Sequence, residues 1–324
     1  MNKDTKMIYT PATKPTMYFL GVTTAKSSIM KVFPAWAKHL RLGDVQLAGM
    51  DFLQHDDPER YRAAVSFIKG DPLSMGGLVT THKLDVVKAC RDLFDHFDPY
   101  AQRLGEVSSI SKRADGLWGH AKDPISAGLS LEAILDADYW SRTGGELLLF
   151  GAGGSSLATT LYLMEKKDPR QWPRAIHVTN RSQPRLDEMR AIHAEINPGI
   201  PVRYYLCPRA EQNDAVLAGM PDGSVIVNAT GLGKDAPGSP ITGAAVWPRD
   251  AIAWDFNYRG DLLFMEQARA QREAKRLTLV DGWLYFIHGW TQVIAEVFHI
   301  EIPTAGPEFD ALSRIAAEVA GRPV

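Results

Sequence analysis

Cysteine is nearly missing from this 324-residue chain. Cys90 and Cys207 are the two it has, far apart and without CxxC spacing or a histidine-rich neighbourhood. That excludes a disulfide framework and argues against a zinc site, and no metal is expected. Long apolar runs are missing as well. None approaches the length of a membrane span, so no membrane partner is expected. An excess of one charge is missing too: 36 Lys and Arg face 38 Asp and Glu, a net charge of −2. There is no basic surplus of the kind a nucleic-acid partner would select. Neither an internal repeat nor a low-complexity tract is present. Met1 to Pro15 is polar and lacks the apolar centre of a secretory signal, so it reads as a flexible arm. These absences leave a cytoplasmic protein with a small-molecule partner, acting as a monomer or homodimer.

What is present is an apolar strand running into a glycine turn. Leu147-Leu148-Leu149-Phe150 leads into Gly151-Ala152-Gly153-Gly154-Ser155-Ser156, and a second apolar strand, Ile176 to Thr179, ends at Asn180-Arg181-Ser182. A dinucleotide fold needs those pieces in that order. Gly151 permits a tight turn, Gly153 lets the backbone approach a pyrophosphate, and small Ser155 and Ser156 allow close helix–strand packing. From about Ser155 the helix would aim free N–H groups at the phosphates. Many strand–helix turns are glycine-rich for steric reasons alone, so the second strand decides. NAD-binding folds usually end it with an acidic residue on the ribose. Here it carries Asn180 and Arg181, with Arg185 one helical turn on. Guanidinium groups present a planar fork of donors that suits a 2′-phosphate, which points to NADP.

The pattern along the chain is α/β. An N-terminal substrate domain is expected over residues 16–128, after the arm at 1–15. Its strands are Met17–Val22, Val45–Phe52 and Gly76–Thr80, with short ones at Val107–Ser111 and Leu117–Gly119. Its helices are Ile29–Arg41, Pro58–Gly70 and Leu84–Leu93. Leu129–Trp140 reads as a linking helix. A Rossmann-like doubly wound parallel sheet is expected over 129–282, with strands at Leu147–Phe150, Ala175–Thr179, Val202–Leu206, Val225–Ala229, Ile252–Phe256 and Thr278–Val280. Leu157–Lys166 and Arg185–Ile196 are its clearest helices. Residues 283–324 hold two more, Trp283–Phe298 and Glu308–Ala320, expected to pack back toward the substrate domain.

Together these motifs resemble the shikimate dehydrogenase family, which includes quinate/shikimate dehydrogenases. The resemblance runs from about Tyr18 to Phe298 and is strongest in the cofactor half. Gly151 to Ser155 looks like the family's glycine turn, and Asn180-Arg181-Ser182 with Arg185 looks like its NADP phosphate clamp. Val227-Asn228-Ala229-Thr230 looks like its Asn-Ala-Thr strand end beside the nicotinamide ribose. Asp255 opens a segment like its Asp-x-x-Tyr stretch, with Tyr258 as the possible counterpart. Gly282 aligns with a glycine before the family's C-terminal helix and is carried over as a cofactor residue.

The substrate half departs from the pattern. The family's Ser-x-Ser-Pro loop appears as Ser27-Ser28-Ile29-Met30, so the first hydroxyl survives and the second is lost. Its Asn-Val-Thr-x-Pro-x-Lys becomes Leu78-Val79-Thr80-Thr81-His82-Lys83, one residue short and without proline. Its Gly-Ala-Val-Asn-Thr becomes Gly105-Glu106-Val107-Ser108-Ser109, and its Asn-Thr-Asp becomes Ala121-Lys122-Asp123. The resemblance implies Lys83 as proton shuttle and Asp123 as the group that orients both it and the substrate. Oxidising an alcohol removes a proton and a hydride together, so a titratable group must lie within about 3 Å of the oxygen. Lys83 at a helix start can equally be solvated, and Asp123 before Pro124 is also a good turn residue. Ser27, Thr81, Ser108 and Gln292 are the substrate-binding candidates. Thr81 and Ser108 can instead bond local backbone. Lys26 can bind an anion or stay solvated. His82 can point into the site or into solvent. Tyr285, His288 and Gln292 share helical spacing, though Tyr285 and His288 can also be core.

The expected activity is NADP-dependent hydride transfer at a secondary alcohol or ketone of a small polyhydroxylated substrate: shikimate-like, a cyclitol or a sugar acid. The alternatives are shikimate dehydrogenase itself, or a non-redox family member. The latter would be a lyase or isomerase using transient oxidation, or a ligand-binding regulator.

Overall fold

Alternating apolar strands and amphipathic helices resolve into two six-stranded sheets. The computed structural model describes residues 9–196, 199–234 and 236–322. The chain divides into two compact units, one of Met1–Lys122 with Gly289–Val324 and one of Asp123–His288.

In the first unit the elements alternate: β1 (Thr16–Gly21), α1 (Ile29–His39), β2 (Gln46–Asp51), α2 (Pro58–Gly70), β3 (Ser74–Val79) and α3 (Lys83–Cys90). Then come β4 (His96–Phe97), α4 (Pro99–Leu104), β5 (Ser109–Arg113) and β6 (Gly116–His120). The sheet order is β2-β1-β3-β5-β6-β4. Strand β1 pairs in parallel with β2 and β3, whereas β5 runs antiparallel to both β3 and β6. These directions gather the loop after β1, the Thr80–Lys83 turn, Ser108 and the end of β6 at one edge. Backbone bonds stitch that edge together: Thr80 N to Leu20 O (3.0 Å), Val79 N to Ser108 O (2.9 Å) and Ser108 N to His120 O (2.9 Å). Helix α1 turns Ile29, Val32, Phe33 and Trp36 inward, all essentially fully buried. The Trp36 indole donates to Leu312 O at 2.8 Å, satisfying its one polar atom in the core. Of the expected arm, residues 1–8 lie outside the described residues. Tyr9 stacks on Phe67 at 5.1 Å, and Lys14 pairs with Asp44 at 2.8 Å.

The second unit opens with α5 (Asp123–Ile134) and α6 (Tyr139–Thr143). Next are β7 (Leu147–Phe150), α7 (Gly154–Glu165), β8 (Ile176–Asn180), α8 (Gln183–Ile196), β9 (Val202–Leu206) and α9 (Ala210–Ala218). It closes with β10 (Val225–Asn228), β11 (Ile252–Asp255), α10 (Leu263–Arg269), α11 (Arg272–Lys275) and β12 (Thr278–Val280). All strands run parallel in the order β12-β11-β10-β7-β8-β9. Leu147 and Leu149 enter one apolar core, and Leu148 and Phe150 another. A strand buried on both faces reads as an unbroken apolar run. Strand order reverses at β7, whose neighbours are β8 and β10. Open α/β sheets bind ligands at such a switch point, outside the carboxyl ends of the strands. Helix α12 (Trp283–Phe298) begins in this unit, and its residues from Gly289, with α13 (Pro307–Ala320), belong to the first.

The expected linking helix over Leu129–Trp140 needs correcting. Helix α5 starts six residues earlier, with Pro124 in its first turn, where a missing N–H costs nothing. It ends at Ile134, and the Asp136-Ala137-Asp138 stretch separates it from α6. The short β4 and α4 were not expected. Their signal is Asp98-Pro99, where the Asp98 carboxylate caps α4 by accepting from Ala101 N at 2.7 Å.

Candidate active site

Strand β7 hands the chain to α7 through Gly151, whose φ of +102° strongly favours glycine. A side chain there would also crowd Ala229 O, at 3.1 Å from the added carbon. Helix α7 begins at Gly154, one residue before the expected Ser155, and no side chain caps it. Its first N–H groups therefore stay open to an anion. A side-chain carbon built on Gly153 would meet nothing within 4 Å, so the space beside the turn is clear of protein. Ser156 is buried and donates to Gly151 O at 2.6 Å, tying helix to turn. Ala152 is buried behind the turn, while Gly154 and half-buried Ser155 face outward.

At the neighbouring carboxyl end of β8, Asn180 donates to Ser182 O at 3.4 Å and turns the chain into α8. Arg181 is exposed and forms no ion pair among the described residues. Arg185 is exposed too, but it pairs with Glu188 at 2.9 Å. The two arginines that look alike in sequence are thus unequal. Arg181 is ready for a phosphate, and Arg185 must first leave a surface pair, which costs little. An open helix N-terminus, a cleared turn and an available guanidinium fit a phosphorylated dinucleotide.

On the other side of β7, Asn228 is fully buried at the end of β10. Its Oδ1 accepts from both the N–H and the hydroxyl of Thr230, at 3.1 and 2.6 Å. This pins Ala229 and Thr230 against the glycine turn. Gly282 is buried where the chain enters α12, and a side-chain carbon there would sit 2.0 Å from Phe256 O. Its smallness thus lets α12 start against the end of β11. Gly282→Ala is expected to cost about 1–3 kcal/mol by overpacking. Calorimetry should record a Tm several degrees lower, and an unchanged Tm would show that the backbone yields there. Tyr258 packs on Trp283 and Phe286, with ring centroids 5.4 and 4.8 Å away. Tyr285 packs on Phe256 at 4.8 Å. His288 is buried, and burial pushes its imidazole down to about 4.

In the first unit the expected residues are spread along the sheet edge. Ser27 is half-buried, while Ile29 is fully buried in the core and offers no donor. Lys26 and Thr81 are exposed, and Lys83 and Gln292 are half-buried. Lys83 is the first residue of α3, and its carbonyl accepts from Val107 N at 3.3 Å. His82 takes neither orientation expected of it. It is fully buried, edge-on to Phe52, with Nδ1 3.0 Å from the Tyr61 hydroxyl. Burial pushes its imidazole down. It anchors the start of α3 and so fixes the backbone that carries Lys83. Ser108 is buried, and its hydroxyl accepts from Lys122 N at 2.8 Å, which is the local backbone role. Asp123 begins α5 in the second unit and is half-buried.

An ionic cluster that sequence reading missed surrounds Lys122. Glu296 on α12 accepts from Lys122 Nζ at 2.7 Å and from Arg113 at 2.5 Å, with His120 Nε2 at 3.2 Å. Burial pushes the Glu296 carboxyl up, but Lys122, Arg113 and His120 outweigh it and hold the group at about 2. Lys122 is therefore committed to Glu296 rather than adding an open charge to the edge. No local motif carries this, since the pair is 174 residues apart.

No family model matches the chain. A shikimate dehydrogenase (NADP(+)) of Methylobacterium radiotolerans is 30% identical over 261 residues, covering 79% of this chain and 83% of that protein. A shikimate 5-dehydrogenase of Listeria monocytogenes, solved with shikimate and NAD, superposes with a TM-score of 0.69 at 17% identity. That match covers 96% of this chain and 99% of that one. The ligand-free 5-ketofructose reductase of a Gluconobacter species superposes with a TM-score of 0.64 at 14% identity, covering 94% and 99%.

Proposed function

This chain belongs to the shikimate dehydrogenase family, and on that premise we propose how its residues divide the work of the reaction. It is an NADP-dependent oxidoreductase acting at a secondary alcohol or ketone of a small, polyhydroxylated, shikimate-like substrate. The observation that carries this is the 30% identity to an NADP-dependent shikimate dehydrogenase across four-fifths of the chain. The open helix N-terminus at the switch point supports it independently.

When bound, NADP supplies the hydride acceptor or donor. The first N–H groups of α7, with Gly151, Ala152, Gly153, Gly154, Ser155 and Ser156 shaping the turn, hold its pyrophosphate. Asn180, Arg181, Ser182 and Arg185 read the 2′-phosphate. Asn228, Ala229 and Thr230 flank its other end, and Gly282 keeps α12 close behind. Lys83 takes the hydroxyl proton as the hydride leaves, and returns it in the reverse direction. Asp123 orients Lys83 and the substrate. Ser27, Thr81 and Gln292 supply hydrogen bonds to substrate oxygens, and Ser108 shapes the edge through Lys122. The protein is proposed to act in the cytoplasm as a monomer or homodimer. Among the described residues, no helix is long and apolar enough to cross a membrane.

The test is a panel of shikimate, quinate and related polyols with NADP⁺ and with NAD⁺, read at the NADPH absorbance. Turnover of none of them with either cofactor would overturn the reading. The cofactor assignment has its own test. A charge-assisted hydrogen bond contributes about 1.5–3 kcal/mol. Arg181→Ala is therefore expected to weaken NADP binding at least about tenfold and to leave NAD binding nearly unchanged. Titration calorimetry showing equal loss for both would mean that Arg181 does not read the 2′-phosphate.

A further inference from the structure

Asp255 ends β11 and is fully buried. Its Oδ1 accepts from Asn228 Nδ2 at 3.1 Å and from Asn257 N at 2.9 Å. Its Oδ2 is buried with no hydrogen-bond partner among the described residues. Both asparagines carry the contact onward. Asn228 Oδ1 holds the N–H and hydroxyl of Thr230, while Asn257 Nδ2 donates to Thr230 O at 3.2 Å and Leu232 O at 3.1 Å. One carboxylate oxygen thus holds two asparagines, and they fasten the Thr230–Leu232 turn on both sides.

That turn borders the switch-point crevice. A side-chain carbon on Gly151 would lie 3.1 Å from Ala229 O and 3.3 Å from Thr230 Cγ2. Arg181 stands at the end of β8, on the opposite flank of β7. A dinucleotide with its 2′-phosphate at Arg181 and its pyrophosphate on α7 extends its nicotinamide end across to β10.

We propose that Asp255, as a carboxylate, is a positioning residue for the nicotinamide end of NADP, acting through Asn228 and Asn257 on the Ala229–Leu232 segment. This rests on the NADP reading above. A purely structural role does not account for a carboxylate at this place. Asparagine matches its shape and can accept the same two hydrogen bonds; its amide would leave N–H groups unpaired where Oδ2 lies, but a buried charge with an unpaired oxygen costs more stability than a neutral group does. Proteins keep such costs where function needs them.

Burial pushes the Asp255 carboxyl up to about 6, against the hydrogen bonds from Asn257 and Asn228. Asp281, the charged side chain acting on it from beyond β12, raises it further. The folded value thus lies above the unfolded one of about 3.9. Its contribution to stability is therefore full below that unfolded value, and is lost as pH rises through about 6. At neutral pH the ionised group destabilises the fold while clamping the turn.

The test is Asp255→Asn, with calorimetric titration of NADP⁺ and of adenosine 2′,5′-bisphosphate, which lacks the nicotinamide half. Near neutral pH the variant should melt higher than the wild type, with the gap closing as pH falls through about 6. It should bind NADP⁺ about tenfold more weakly, because hydrogen bonds to a neutral amide hold the two asparagines less firmly than bonds to a carboxylate. The bisphosphate should bind as before. The 2′-phosphate that both ligands share also titrates near pH of about 6, so the bisphosphate serves as the reference: relative to it, wild-type affinity for NADP⁺ should fall further as pH drops through about 6, and that of the variant should follow the bisphosphate. Unchanged NADP⁺ affinity in the variant, or equal loss for both ligands, would overturn the proposal. A lower melting temperature would also overturn it, because it would make Asp255 a scaffold residue. Wild type that binds the bisphosphate but not NADP⁺ would overturn it and leave the phosphate clamp standing. Wild type that binds neither would remove the NADP reading itself.

Discussion

Lys83→Ala is expected to lower kcat by about 10²–10⁴, the usual contribution of a positioned acid–base group, with NADP affinity unchanged. The variant should fold. Lys83 is half-buried at the first position of α3, and alanine is a good helix former. The helix start is held by other groups: Val86 N donates to His82 O at 2.8 Å, and buried His82 bonds Tyr61. The loss should therefore appear in turnover and not in melting temperature. Asp123→Asn should give the same pattern with a milder loss, because the amide still positions its neighbours but holds no charge. Steady-state kinetics beside calorimetric NADP titration separate the two effects. Near-normal turnover of Lys83→Ala would remove the lysine mechanism from consideration.

How much of this was legible in the sequence follows from how local each signal is. The cofactor half writes its motifs on single turns. Gly151 needs its positive φ, Ser156 folds back on Gly151 five residues away, and Arg181 directly follows β8. Such features survive as short strings. The substrate half is assembled from segments far apart, because β5 and β6 return antiparallel and bring Ser108 and Lys122 to the edge of β3. No spacing rule reveals that Lys122 is held by Glu296. Nor could one show that His82, in a stretch one residue shorter than the family pattern and without its proline, plugs into Phe52 and Tyr61. Helix α5 was misplaced for a related reason. Ser126, Ala127, Gly128 and Ser130 are buried yet small, so burial left no apolar periodicity to read. Asp255 was visible as a family-like position. Its isolation was not, since an unpaired buried oxygen is defined only by everything around it.

The same unevenness bears on the substrate. Shikimate is expected to be a poor one, with kcat/KM at least about a hundredfold below that for the true substrate, a margin that the loss of a hydrogen bond to a charged group can approach. The family pattern holds the substrate carboxylate with two hydroxyls. Here Ser27 keeps the first, but the second position is Ile29, which is fully buried in the first unit's core and cannot turn outward without opening a cavity. One missing hydrogen bond to a charged group costs about 1.5–3 kcal/mol, or roughly 10–150-fold in affinity. Ser108 is a poor replacement, because it is buried with its hydroxyl anchored on Lys122 N. Lys122 is no better, because its ammonium is bound to Glu296. Exposed Lys26 can supply a point charge, which tolerates other anion geometries better than a fixed pair of hydroxyls does. The preferred substrate should therefore be a hydroxylated compound of similar size whose carboxylate is absent or placed differently. Parallel kcat/KM measurements on shikimate, quinate, cyclitols and keto sugars decide this. A value for shikimate above about 10⁵ M⁻¹s⁻¹, well within the range of dedicated enzymes, would restore the plain family substrate and make Ser27 with Lys26 a sufficient clamp.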